Sequence, residues 1–137
     1  MSHWGPVAAG VVVVFLLLVS LPFIYRTATI VGWENVHAIR RSRIAIQKII
    51  RKRLPKARVH TMGITHLSPS NLCICIDVAT DAERDALVKD TALLGEMRRA
   101  LFKADYPEDV IPDVAFSVES QETVTRDFAG SWSKARQ

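Results

Sequence analysis

From Trp4 to Tyr25 the chain reads WGPVAAGVVVVFLLLVSLPFIY, without one Asp, Glu, Lys or Arg. The 19 residues from Val7 to Tyr25, at about 1.5 Å rise each, cover roughly 28 Å, close to the ~30 Å hydrocarbon core of a bilayer. Valine is a mediocre helix former in water, but in lipid every backbone group must bond internally, which enforces a helix. Trp4 at one end, and Tyr25 and Trp33 at and beyond the other, suit the headgroup region, where amphipathic rings anchor a span. Pro6 falls in the first turn, where its missing N–H costs nothing, and Pro22 lies close to the far boundary. A secretory signal peptide fits less well. It needs a basic n-region and small residues at a cleavage site, whereas no Lys or Arg precedes Val7 and Pro22 to Arg26 is bulky.

Charge then orients the span. Residues 26–58 hold ten Lys/Arg against Glu34 alone, a net of +9, and residues 59–137 hold eight against thirteen Asp/Glu, a net of −5. Basic flanks stay on the cytoplasmic side. The expected organisation is a short extracytoplasmic segment (1–5), a transmembrane helix (6–25), a linker (26–35), a cytosolic α+β domain (36–120) and a C-terminal tail (121–137). Localisation follows as the cell membrane, single-pass, with the soluble part in the cytosol. Two cysteines separated by one residue provide no disulfide framework, which suits a reducing compartment.

About 110 residues remain outside the apolar run, enough for one small domain. Residues 36–54 read as a helix, with Val36, Ile39, Ile46, Ile49 and Ile50 forming one apolar stripe and Pro55 ending it. Residues 58–66 and 72–79 read as a hairpin around residues 67–71. In its second strand Leu72, Ile74, Ile76 and Val78 alternate with Cys73, Cys75, Asp77 and Ala79. Pairing His66 with Leu72 sets Ile64 against Ile74, Met62 against Ile76 and His60 against Val78, and gathers the large apolar groups on one side. Thr61, Gly63, Thr65, Cys73, Cys75 and Asp77 then share the other. Thr80 and Glu83 have capping-box spacing and open a helix running to about Ala104, with Leu87, Leu94, Met97 and Leu101 on one face. Val114, Phe116 and Val118 alternate as a third strand. The order α-β-β-α-β implies an open two-layer sandwich after the membrane helix.

In layout, residues 36–120 resemble the cytosolic tail domain of cation diffusion facilitators, the ring-building modules of membrane-spanning secretion and sporulation complexes, and BON-type lipid-associated domains. Val59-His60 after the basic helix is similar to the first strand of the cation facilitator tail. That resemblance implies a ligand- or metal-responsive regulatory module, although the multi-helix transport domain of those proteins has no counterpart here.

For metal chemistry, His60, His66, Cys73 and Cys75 are the candidate ligands, since imidazole and thiolate suit zinc. The hairpin register assumed above points both histidines away from both thiols and argues against a site. No Gly-rich phosphate loop, G-x-S-x-G elbow or H-E-x-x-H pair is present. Asp105, Glu108, Asp109 and Asp113 read as a solvated loop, so neither an enzyme nor a cofactor is expected. Arg40, Arg41, Arg43, Lys48, Arg51, Lys52 and Arg53 form a membrane-surface candidate, because basic groups beside a span attract anionic lipid headgroups. Residues 36–58 contain no aromatic to stack bases, which disfavours nucleic acid. In the tail, Val124, Phe128 and Trp132 would align on a helix. Phe128 and Trp132 are candidate partner-binding residues, against packing back on the sheet or disorder. Together these features point to a non-enzymatic interaction or assembly protein whose partners are the lipid bilayer and either a second copy or another membrane protein.

Overall fold

A computed structural model describes residues 35–137; the expected transmembrane helix and its extracytoplasmic flank lie outside the described residues. Among the described residues no helix is long and apolar enough to cross a membrane.

The described part is α+β, a three-stranded sheet accompanied by several helices. Helix α1 occupies residues 35–53. Asn35 is buried at its start, and Ala38, Ser42, Ile46 and Ile50 are buried along it, these last four spaced four apart and therefore stacked on one face. Val36, expected in this stripe, is exposed. Ser42 takes a core position because its hydroxyl donates to the Ala38 carbonyl at 2.6 Å, leaving no unpaired polar atom. Gln47 fastens the turn that follows. Its amide donates to the Ala57 carbonyl at 2.9 Å and accepts from the Val59 N–H at 2.8 Å, so it holds the start of strand β1 (Arg58–Met62) against α1.

Strand β2 (Cys73–Val78) is central. It pairs antiparallel with β1, Val59 opposite Ile76, His60 opposite Cys75, Thr61 opposite Ile74 and Met62 opposite Cys73. It pairs parallel with β3 (Ala115–Ser120), Ile74 opposite Phe116 and Cys75 opposite Ser117. The hairpin register thus differs from the expected one by three residues. An odd slip exchanges the faces of a strand, so His60 and Met62 join Cys73, Cys75 and Asp77 on the side away from the core. Thr61 moves to the core side. The cause lies in the connection. Gly63 adopts φ +121 and ends β1 early, and residues 63–72 form a structured loop in place of a tight hairpin. Within it Leu67 and Ser68 both donate to the Ile64 carbonyl, Pro69–Asn71 make one 3-10 turn, and the Tyr106 hydroxyl donates to the Pro69 carbonyl at 2.5 Å.

Between β2 and β3 the single expected helix is two, α2 (Asp81–Lys89) and α3 (Thr91–Lys103). The capping box at Thr80 is present in full. Asp90 breaks the run by capping a new helix, its carboxylate accepting the Leu93 N–H at 2.9 Å, the competition that aspartate offers to helix backbone. The break re-phases the buried face, so Leu93 is buried and Leu94 only partly so. Arg41 donates to the Ala104 carbonyl at 2.7 Å, and Arg53 pairs with Asp90 and Glu96. These contacts set α1 antiparallel to α3. The core joins Ile46 and Ile50 of α1, Val59, Ile74, Ile76 and Val78 of the sheet, and Leu87, Leu93, Met97 and Leu101 of α2 and α3.

The tail is ordered. Helix α4 (Gln121–Phe128) follows β3 directly, capped by the Ser120 hydroxyl at Thr123, and buries Val124 completely. The expected alignment of Val124, Phe128 and Trp132 on one helix is absent. Ala129 and Gly130 turn left-handed, the Gly130 N–H closes onto the Val124 carbonyl at 2.9 Å, and Trp132 opens a separate turn, α5 (Trp132–Ala135).

Candidate functional site

Two surfaces carry the candidate residues. On α1, Arg40, Arg41, Arg43, Lys48, Arg51, Lys52 and Arg53 are all exposed, as required of positions off the Ala38–Ser42–Ile46–Ile50 line. Arg41 pairs with Asp105 at 3.2 Å, and Arg53 with Glu96 at 3.1 Å. Arg40, Arg43, Lys48, Arg51 and Lys52 make no ion pair among the described residues. Sequence reasoning missed the contribution of α3, where Arg99 and Lys103 stand four apart. They join Arg41, Lys48 and Lys52 around a groove of about 530 Å³ whose floor is Ala45, Ile49, Ala100 and Ala104. Glu96 is its one acidic lining group and is already held by Arg53. The groove can therefore receive an anionic group above an apolar floor.

The second surface is the sheet face turned from the core. The sulfurs of Cys73 and Cys75 lie 3.6 Å apart, and His60 Nε2 is 2.5 Å from Asp77 Oδ2. Burial, reinforced by the hydrogen bond to Cys73, pushes the Cys75 thiol up to about 12. The tail closes over this face: Arg136 pairs with Asp77 and lies 4.7 Å from the Trp132 ring, while Trp132 Nε1 donates to Gln121 at 3.1 Å. Trp132 is thus half-buried in contacts with its own chain, and Phe128 is half-buried at the end of α4. His60 shares a face with both cysteines, contrary to the expected register, whereas His66 stands exposed in the 63–72 loop and joins neither. Among the described residues no three His, Cys, Asp or Glu side chains are grouped to hold a metal ion.

No family model, curated protein or solved structure matches this chain.

A further polar cluster joins α2 to the β3–α4 junction. Asp81, at the start of α2, accepts from Ser120, from Thr123 at 2.8 Å and from Arg126 at 3.0 Å, with Arg84 at 3.3 Å. Glu122 accepts the Asp81 N–H at 2.8 Å. The Ser120, Thr123 and Arg126 donors hold the Asp81 carboxyl well below the usual carboxylate range. Its role is to bind α2 to the β3–α4 junction and so direct the tail. Nothing in the spacing of Asp81 and Arg126 along the chain announces this contact.

Proposed function

We propose that the chain is a single-pass, membrane-anchored, non-enzymatic assembly protein. Its α+β domain is an open two-layer arrangement held at the cytosolic surface, with the basic side of α1 resting on anionic lipid headgroups. The observation that carries this reading is the convergence of cations from α1 and α3 on one groove with an apolar floor, next in the chain to a 22-residue stretch free of Asp, Glu, Lys and Arg. A solvated basic helix has no need of matching cations on its neighbour. Support for assembly comes from the 63–72 loop and the strand end beside it, where Met62, Ile64 and Leu67 are each exposed.

Lipid docking is tested with residues 35–137, which contain their own core, sedimented with phosphatidylserine-containing or neutral vesicles. At about 1 kcal/mol per basic group at such a surface, neutralising Arg43, Lys48 and Lys52 together with glutamine lowers binding to the anionic vesicles by roughly 100-fold. Added salt weakens the wild-type interaction in the same direction. Equal binding to both vesicle types, or a triple variant that binds unchanged, contradicts the docking.

A further inference from the structure

We propose that the sheet face turned from the core binds a soft monovalent metal ion, Cu(I), between the thiolates of Cys73 and Cys75, with the Met62 thioether as third ligand. The site does not depend on the membrane reading. Residues two apart on a strand share a face, which places both thiols together on β2. The antiparallel register sets Met62 of β1 directly opposite Cys73. All three residues line one cavity of about 290 Å³.

The spacing suits one ion. Two thiolates each bound at about 2.3 Å stand roughly 4.0 Å apart at the ~120° angle of a three-ligand site. The observed separation of 3.6 Å needs only a small outward rotation. It does not suit a disulfide: Cβ atoms two residues apart on an extended strand lie about 6–7 Å from each other, against the ~3.8 Å that an S–S bond requires.

The identity of the ion follows from what else the face offers. The Ser117 hydroxyl opposite Cys75 is too hard a donor for a soft ion, and His60 is engaged by Asp77, Asp77 also by Arg136 and Glu119 by Arg84, so the imidazole and carboxylate donors nearby already have partners. The sulfurs do not, beyond each other. A set of two thiols and a thioether selects Cu(I) over harder ions. On binding, two S–H bonds break, two S–Cu bonds form and two protons leave to solvent, with copper remaining Cu(I). The resulting bis-thiolate complex carries one negative charge. The Arg136 guanidinium, which lines the same cavity, is placed to offset it.

The test uses the full chain in detergent micelles under anaerobic conditions, titrated with Cu(I) held by the coloured chelator bicinchoninate. The expected result is withdrawal of one Cu(I) per chain. Cys73→Ser should abolish that withdrawal while circular dichroism shows the fold retained. Because Met62 is exposed, Met62→Leu leaves the fold intact whatever happens at Cys73. It should weaken retention at least roughly tenfold, the scale on which even outer-shell partners of a metal count. The proposal is overturned if the chain fails to compete with the chelator, if Met62→Leu binds as wild type, or if Zn(II) displaces Cu(I) at equal concentration.

Discussion

Alanine at position 63 is expected to destabilise the domain by about 2–4 kcal/mol, lowering its urea midpoint sharply. Gly63 adopts φ +121, and a Cβ built there would lie 1.9 Å from the Asn71 carbonyl oxygen. The left-handed backbone alone costs a side chain on the order of 1–3 kcal/mol. The clash is with backbone, not with the end of a flexible side chain, so the loop must move or β1 must unpair from β2. Gly130 provides the internal comparison. It also has positive φ, +79, but a Cβ there meets nothing within 4 Å. Gly130→Ala should therefore carry only the conformational penalty, about 1 kcal/mol. Equal losses at the two positions would show that the 63–72 loop does not approach β1 as described. Out of a total stability of about 5–15 kcal/mol for a domain of this kind, that loss at Gly63 is a large fraction.

The second large effect is expected at Ile74, which is fully buried at the centre of the sheet between Thr61 and Phe116. Ile74→Ala should cost about 2–5 kcal/mol, the range for truncating a buried aliphatic side chain. Ile64→Ala should change stability by less than about 0.5 kcal/mol, because Ile64 is 54% exposed in the loop. The pair of variants reads out the register directly. In the alternative pairing Ile64 faces Ile74, and both truncations would open cavities in one core. Measured by chemical denaturation, comparable losses at Ile64 and Ile74 would refute the register, and with it the placing of Met62 beside the cysteines.

Much of the fold was legible from pattern. The period-two alternation of β2, the apolar spacing of α1 and the Thr80–Glu83 capping box each lead to one element, and each element is present. The register of β1 was not legible, for a specific reason. The stretch Val59-His60-Thr61-Met62-Gly63-Ile64 offers two alternating sets, and the set containing Met62 and Ile64 is the more apolar. What decides against it is Gly63, whose left-handed backbone ends the strand before Ile64 can join, and the close approach of Asn71, a contact eight residues away. Asp90 is similar. An aspartate inside a helical pattern is compatible with either an exposed side chain or a new cap, and tertiary ties from Arg53 favour the break. The tail shows the limit most plainly. Val124, Phe128 and Trp132 have helical spacing, yet Ala129 and Gly130 end α4, and Asp77 and Gln121 draw the remainder back across the sheet. On the surface, the basic residues of α1 were readable from charge alone. Arg99 and Lys103 were not, since their partnership with α1 depends on the antiparallel packing of α3.

The central claim is that the apolar stretch spans a bilayer and leaves the α+β domain inside the cell. It is tested most directly by fusing a compartment-sensitive reporter after Gln137 of the full chain and assaying it in intact cells, with alkaline washing of the membranes. A spanning helix with the domain inside predicts a reporter active only in the cytosol and a chain that stays with the membrane pellet. A reporter active outside the cytosol, or a chain released into the wash, would contradict it.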